Sequence, residues 1–338
     1  MAAACRISKI ALIILALSGF VIAAPARAQL TQSTTAIPVY SLGFMVEMYA
    51  QDMKLYQKHG VDMKMQQING LGTINALIAG SVEFGQPSGV SLIRAAARGQ
   101  PLLAIVNFTN RIVVQVVLRK ELADKAGFDP AAPLEKRALV LKGKTLAVDS
   151  VNSVIDAYLG LLAKRGGFSH DDMHVAPMEP PAMISAFAAK QIDGFAMSLP
   201  WTQIPVVDGS AVMVASGPDG DTIGLDPFAN TVVAAKPSTC EAKPQLCAAV
   251  GQTFVEAIAM MHADPDAARA VLQKRFPTLD PKVFTAAFAT ELKMTPSPPV
   301  PTAKGLENTD NYNIAAGLMK PEEKLSDYNR LFTDKYVK

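Results

Sequence analysis

From residue 34 onwards, short apolar runs alternate with segments of helical periodicity. Runs typical of strands lie at 34–40, 61–68, 82–85, 102–108, 112–118, 145–148, 174–178, 194–197, 211–216 and 230–235. Apolar residues at helical spacing lie at 46–56, 74–79, 90–98, 154–164 and 181–190. The repeated order of strand, loop and helix predicts parallel α/β sheets whose loops gather at the carboxyl ends of the strands.

From residue 244 onwards the pattern is helical. The predicted helices begin near Val250 and continue at 265–275, 281–293, 305–319 and 326–336, with a proline-rich break at 296–301. We expect this helical tail to pack on the first sheet. A charged, proline-containing stretch at 120–137 indicates a boundary between two α/β units.

The most informative stretch is residues 141–153. A polar turn precedes the strand at 145–148, and Asp149, Ser150, Asn152 and Ser153 then lead into a helix. Two interpretations remain open. The polar residues form an ordinary helix cap, or they and the free N–H groups of the helix start cradle an anion or a carbonyl oxygen.

An internal similarity links the two α/β units. Residues 76–83 (ALIAGSVE) align with residues 186–193 (AFAAKQID), and each segment is a short helix that runs into a strand. Chance similarity in alanine-rich sequence is one explanation. Two similar lobes are the other.

The N-terminus has the pattern of a secretory signal peptide. Arg6 and Lys9 precede an apolar run, and Ala26-Arg27-Ala28 is a typical cleavage signal, so residues 1–28 are predicted to be removed. Of 32 Lys and Arg residues, three lie in this leader, which leaves 29 against 30 acidic residues and a formal charge of −1. Nucleic-acid binding is therefore not expected. No later stretch approaches the apolar length of a membrane span.

Cys240 and Cys247 are the two cysteines of the mature chain. In an oxidising compartment an even number of cysteines predicts a disulfide. A metal site is the alternative, but no histidine lies at a ligand spacing from these cysteines.

The sequence contains no recognisable catalytic motif: Gly-x-Ser-x-Gly, His-Glu-x-x-His and the phosphate-binding loop are all absent. His170 and His174 have a helical metal spacing, but a strand begins at Val175 and no third ligand is near, so we predict no metal site. No cofactor is expected, and the chain is not expected to be an enzyme.

Polar residues in loops at strand ends, with a few aromatics, predict a small-molecule site. The candidate ligand-binding residues are Ser41, Phe44, Gly72, Thr73, Gln86, Ser88, Asn107, Arg111, Ser150, Asn152, Ser153, Ser198 and Trp201. Three of them have open alternatives. Trp201 stacks on a ligand or anchors the core, Arg111 pairs with an anionic ligand or forms a surface salt bridge, and Phe44 contacts a ligand or packs beneath the first helix.

Several motifs together resemble a known family: Gly60-Val61-Asp62-Met63, residues 76–84, residues 141–148 and residues 190–195. In order and spacing they are similar to the periplasmic substrate-binding proteins of ABC importers for nitrate, sulfonates, taurine and thiamine-pyrimidine precursors. The related fungal thiamine-pyrimidine synthases depend on a cysteine-rich motif that is absent here. Family members often carry an acidic residue where this chain has Leu199, so the ligand does not follow from the resemblance.

The resemblance implies an α/β, two-lobed type II periplasmic-binding-protein fold with two crossover strands and a helical C-terminal tail. Lobe 1 would comprise residues 29–117 and 235–338, and lobe 2 residues 118–234. We expect an exported, monomeric periplasmic receptor that binds a small anionic or aromatic solute between its lobes and delivers it to a membrane permease. Alternatives are a ligand-sensing partner of a membrane kinase or tripartite system, or an enzyme on the same fold.

Overall fold

The computed structural model describes residues 29–68, 72–100, 102–151 and 153–338. The predicted leader with its cleavage site, residues 69–71 and the candidate site residue Asn152 lie outside the described residues.

Ten strands alternate with helices along the chain. The strands are β1 (Thr31–Ile37), β2 (Val61–Gln67), β3 (Phe84–Gly85), β4 (Leu103–Thr109), β5 (Gln115–Arg119), β6 (Thr145–Val148), β7 (His174–Pro177), β8 (Gly194–Met197), β9 (Ala211–Ser216) and β10 (Thr231–Ala235). The helices are α1 (Met45–Asp52), α2 (Leu55–Lys58), α3 (Gly72–Ala79), α4 (Gly89–Ala97), α5 (Lys120–Lys125), α6 (Leu134–Ala138), α7 (Val154–Arg165), α8 (Pro180–Ala188), α9 (Gln203–Val207), α10 (Pro237–Ala242), α11 (Pro244–Ala263), α12 (Pro265–Gln273), α13 (Pro281–Lys293) and α14 (Ala303–Ala315).

The strands form two five-stranded sheets, ordered β2-β1-β3-β10-β4 and β7-β6-β8-β5-β9. In each sheet three neighbouring strands are parallel, and the fourth strand runs antiparallel to the strands on both sides of it. The two sheets thus share one topology. This confirms the two-lobed α/β fold expected from the sequence.

The internal similarity is a structural repeat. β3 and β8 each occupy the central position of a sheet, and each follows a short helix. The helix ends also match: Gly80 and Lys190 both have a positive φ, of 76° and 60°. The next backbone N–H groups, those of Ser81 and Gln191, donate to the carbonyls of Ala76 and Ala186 over 3.0 and 2.9 Å. The aligned residues therefore make the same helix-to-strand turn in both lobes.

The chain crosses between the sheets twice, at 110–114 and at 217–230. β5 begins at Gln115 and belongs wholly to the second sheet, whereas β10 begins at Thr231 and belongs to the first. We therefore propose lobe boundaries within these two crossings, a few residues earlier than the boundaries at 117 and 234 predicted from the sequence.

The helical tail packs mainly on the first lobe. α11 lies against α1, α2 and β4, and α14 lies against α4. The tail also reaches the second lobe, because α13 contacts α9 and the hydroxyl of Tyr312 donates to the carbonyl of Val154 over 2.6 Å. Both lobes are thus tied together on the side of the tail.

α11 corrects one expectation. Among the described residues it is long and apolar enough to cross a membrane by length and composition, and half of it is buried. Its apolar residues, including Val250, Phe254 and Ile258, belong to the core of the first lobe. A core helix of a globular protein passes the same test.

Other departures lie at the ends of elements. The segment 326–336, predicted as a helix, contains only a 3₁₀ turn, Asn329–Leu331. The helix predicted at 46–56 is interrupted at Lys54, which has a φ of 55°, so it forms α1 and α2. The charged stretch at 120–137 is not only a connection, since it carries α5 and part of α6.

Cys240 and Cys247 form the predicted disulfide, with their Cα atoms 5.5 Å apart. The bond joins α10 to the first turns of α11, and both cysteines are buried against the core of the first lobe.

Candidate functional site

A cleft of about 450 Å³ lies between the two lobes. Its walls come from loops at the carboxyl ends of strands in both sheets, and from the helical tail. The lining residues are Pro38, Val39, Ser41, Gly43, Phe44, Pro87, Ser88, Val90, Ser91, Arg94, Val113, Asp149, Ser150, Val151, Ser153, Val154, Ile155, Ser198, Asn230, Thr231, Glu291 and Leu318. The size is typical of a site for a small organic molecule.

On the first lobe, the loop between β3 and α4 forms one wall. Ser88 is the N-cap of α4, where its hydroxyl accepts the backbone N–H of Ser91 over 3.2 Å. The next residue must be glycine, because a Cβ at Gly89 would lie 1.9 Å from the carbonyl oxygen of Ala229. This close approach fixes the start of α4 against the segment that leads into β10.

On the second lobe, the segment that follows β6 forms the opposite wall. Ser153 caps α7, since its hydroxyl accepts the N–H groups of Ile155 and Asp156, each over 3.2 Å. The same hydroxyl donates to the carboxylate of Asp149 over 2.6 Å. Ser153 is therefore the N-cap of α7, and the carboxylate of Asp149 lies beside this helix start.

Asp149 lines the cleft directly after β6, where part of the residue is exposed and the cleft walls partly enclose its carboxyl group. Desolvation raises the pKa of its carboxyl group, and the hydrogen bonds from Ser153 and from the backbone N–H of Ser150 oppose that shift. Asp149 thus adds negative potential to the second-lobe wall.

Apolar side chains face the cleft from both lobes. Val39 is 48% exposed and Val151 is 53% exposed, which is unusual for valine. They lie on opposite walls, so an apolar part of a ligand can be covered from both sides.

Among the described residues that line the cleft, Arg94 is the only one with a positively charged side chain. It is the sixth residue of α4, on the face that also carries Ser91. Within the described part of the chain its guanidinium has no acidic or hydrogen-bonding partner, and its Nε atom is buried without one. A partly buried, unpaired guanidinium is unfavourable alone and is well suited to bind an anion.

Glu291 contributes a carboxyl group from α13. Its side chain is 2% exposed and lines the cleft beside the turn that follows β1. Burial raises the pKa of Glu291 to about 7, with no contribution from a neighbouring charge. The cleft thus presents a guanidinium and a separate, desolvated carboxyl group.

Six of the predicted site residues line the cleft: Ser41, Phe44, Ser88, Ser150, Ser153 and Ser198. Phe44 is 7% exposed and meets Phe108 edge-on, with ring centroids 6.5 Å apart. Phe44 therefore forms part of the floor of the cleft and also packs in the core beneath the first helix.

Three predicted residues on the first lobe, Gly72, Thr73 and Gln86, do not line the cleft. Thr73, at the start of α3 beside Gly72, donates to the carbonyl of Ile68 over 2.7 Å. Gln86 is fully buried and donates to Glu47 over 2.7 Å.

Asn107, Arg111 and Trp201 are also not among the lining residues. Asn107 is buried within β4, where backbone carbonyls surround its amide. Arg111 donates to the carbonyl of Pro218 over 3.0 Å and so links the two crossings. Trp201 packs, partly buried, against the second-lobe cluster that contains Phe187 and Phe195.

Arg94 and Glu291 line the cleft but were not predicted to, whereas Asp149 belongs to the polar stretch that the sequence marks as a possible anion cradle. A signal for Arg94 was present, because Ser88, Ser91 and Arg94 are three residues apart and so share one face of a helix. No local signal marks Glu291, since its position depends on how the tail docks.

The histidines at 170 and 174 lie on different elements. Nε2 of His170 lies 2.7 Å from the carboxylate of Asp156, and His174 begins β7. In the described ranges, no group of three or more His, Cys, Asp or Glu side chains is placed to hold a metal ion.

The chain has two α/β lobes of the same topology with a cleft between them. This architecture is the fold of the periplasmic binding proteins. The aliphatic sulphonate-binding protein SsuA of Escherichia coli matches with a TM-score of 0.68 and 18% identity, over 91% of this chain and 99% of that chain. The nitrate-binding protein NrtA of Synechocystis PCC 6803 matches with a TM-score of 0.64 and 14% identity, over 88% and 84%. At these identities the likeness shows the fold alone.

The profile of the NMT1/THI5-like family matches residues 42–268, and the chain belongs to that family. This confirms the resemblance expected from the sequence. A protein of Brucella abortus (strain 2308) that is described as a binding protein is 32% identical over 154 residues, which are 45% of this chain and 43% of that protein. The match therefore spans less than half of the length of this curated relative.

Proposed function

We propose that this chain is an exported receptor that holds a small organic anion between its lobes and passes it to the permease of an ABC importer. The observation that carries the proposal is the unpaired guanidinium of Arg94 in a cleft lined by both lobes. Family membership supports a binding role, since the relatives and structural neighbours whose names state a role are binding proteins.

Lobe closure is the proposed mechanism. A ligand that touches Ser88 and Arg94 on one wall and Ser150 on the other favours the state in which both walls approach it. The crossings at 110–114 and 217–230 are the natural hinges. A permease would then distinguish the closed, loaded protein from the open, empty one.

The chemistry of the ligand follows from the walls. Arg94 would bind a sulfonate, carboxylate or similar group, and Val39 and Val151 would cover an apolar part. Sulfonate and nitrate, the solutes in the names of the structural neighbours, are both anions.

Two observations support a periplasmic location. The predicted signal peptide would export the chain with cleavage after Ala28, and the disulfide between Cys240 and Cys247 is typical of an oxidising compartment. We propose that the mature protein acts as a monomer.

The proposal is tested with the mature protein, residues 29–338, in a thermal-shift screen followed by calorimetry. The screen contains alkanesulfonates, nitrate, aromatic carboxylates, pyrimidines and short organic acids. A ligand at about 100 times its dissociation constant stabilises the fold by about 2.7 kcal/mol, which gives a clear shift in Tm. We expect anions to bind and neutral pyrimidines not to. Binding of neutral solutes only would contradict the proposal.

A further inference from the structure

Glu291 lies two residues before the end of α13, and its carboxyl group reaches the cleft beside the turn at 41–44. A Cβ built on Gly43 would lie 3.9 Å from the Oε1 atom of Glu291, so the carboxyl group sits directly against this turn. Gly43 and Glu291 both belong to the lining of the cleft at this point.

The carboxyl group has no partner of its own. Among the described residues, no side chain or backbone N–H donates to it, and no cation pairs with it. Two other buried carboxyl groups of this lobe differ in this respect. Tyr56, Gln51 and Gln86 donate to Glu47, and Tyr328 and the backbone N–H of Leu325 donate to Asp310. Because buried carboxyl groups are normally hydrogen-bonded, the bare oxygens of Glu291 indicate that a ligand supplies the donor.

Glu291 and Arg94 lie on different elements and do not form an ion pair with each other. Each is therefore free to meet a different part of one ligand. An anionic group would neutralise the guanidinium, and a donor group elsewhere on the same molecule would reach the carboxyl group.

We propose that the cleft selects amino- or hydroxy-substituted organic anions, and that Glu291 accepts the hydrogen bond from the amino or hydroxyl group. The inference rests on the proposed function. It extends that function by naming a second recognition point, on the helical tail, and a narrower class of ligand.

The inference is tested by comparing the affinities of small anions that differ only in one amino or hydroxyl group. Taurine and isethionate are each compared with ethanesulfonate, and β-alanine is compared with propionate, by calorimetry at pH 8. We expect the wild type to bind the substituted member of at least one pair ten or more times tighter than its unsubstituted partner. Glu291→Met, which removes the acceptor at similar length, is expected to lose that preference and to bind the unsubstituted anion within threefold of wild type.

Two further variants sharpen the result. Glu291→Gln keeps an acceptor oxygen without the charge, so it should retain a preference for the hydroxyl compound and lose the preference for the ammonium compound. Glu322→Gln changes an exposed glutamate far along the tail and serves as the matched control. Circular dichroism and Tm of each variant establish that it is folded.

The possible failures differ. Equal affinity for both members of every pair, or a preference that survives Glu291→Met, overturns the role of Glu291 and leaves the anion receptor in place. If the folded wild type binds no member of any pair and no anion in the screen, the proposed function fails and this inference fails with it.

Discussion

The side-chain amide of Gln86 donates to the carboxylate of Glu47 over 2.7 Å, and both side chains are fully buried. Tyr56 and Gln51 donate to the same carboxylate over 2.6 and 2.9 Å. Burial raises the pKa of Glu47, and these three hydrogen bonds oppose the shift. Gln86 directly precedes the loop that carries Ser88, so this buried network anchors one wall of the cleft from below.

We expect Gln86→Ala to lower the free energy of unfolding by about 2 kcal/mol, because the change removes a donor from a buried carboxylate and leaves a cavity. Ligand affinity should change by less than about threefold, since the amide faces Glu47 rather than the cleft. Urea unfolding and calorimetry measure the two quantities. Gln32→Ala, at an exposed hydrogen bond to Asp62, is the control and should have little effect. A tenfold loss of affinity with unchanged stability would instead place Gln86 in contact with ligand.

Trp201 is expected to act through stability. It packs, partly buried, against the cluster around Phe187 and Phe195, so Trp201→Ala should cost about 2 kcal/mol of unfolding free energy. The affinity for the best anion of the screen should stay within about twofold of wild type. Trp201→Phe keeps an aromatic ring and should recover most of the stability. A Trp201→Ala protein that unfolds like wild type but binds poorly would restore the stacking interpretation.

The fold was predictable because its signals are local. The turn, strand and cap at 141–153 lie close together in the sequence, and the aligned segments around Gly80 and Lys190 repeat one helix ending. Such patterns depend on a few neighbouring residues. The prediction of a helix at 326–336 was wrong. Apolar residues of this segment, such as Leu331, pack on the first lobe from a 3₁₀ turn and irregular backbone.

The site was predictable only in part. Polar residues at strand ends identified the correct edge of each sheet, but Thr73, Gln86 and Asn107 turn inwards, where buried polar groups require partners within the protein. Position in a loop does not reveal which way a side chain points. The position of Glu291 in the cleft could not be predicted from local sequence patterns, because α13 reaches the cleft only when the helical tail packs on the rest of the protein.

The disulfide is expected to stabilise the fold. Joining residues 240 and 247 closes a short loop, and the chain-entropy relation gives about 2–3 kcal/mol for a loop of this length. Replacing both cysteines with alanine should lower the free energy of unfolding by that amount, without a large change in ligand affinity. Urea unfolding of the variant, and of wild type with and without reductant, measures the effect. Wild type that is equally stable in both conditions would mean that the bond adds no stability.

Arg94 is expected to provide most of the charge recognition. Arg94→Gln should weaken the binding of an anion by about 1.5–3 kcal/mol, which is roughly 10- to 150-fold, because a hydrogen-bonded ion pair is lost. Stability should not fall, since the guanidinium has no partner among the described residues. Arg98→Gln, at the exposed end of the same helix, is the matched control. Equal losses in both variants would indicate a general electrostatic effect instead of a contact by Arg94.

Glu291 makes the stability of the protein depend on pH. Burial raises its pKa from 4.5 to about 7, so between these values the unfolded chain releases a proton that the folded chain retains. The contribution of this group to the free energy of unfolding therefore falls as the pH rises from about 4.5 to 7, by about 3 kcal/mol in total, and is constant above and below that window. Glu291→Gln should abolish this dependence. Its stability relative to wild type should thus increase by about 3 kcal/mol from pH 4.5 to pH 8, measured by urea unfolding at constant ionic strength without ligand. Glu322→Gln should follow wild type at every pH. A constant difference between Glu291→Gln and wild type would show that the carboxyl group is solvated and titrates as in the unfolded chain.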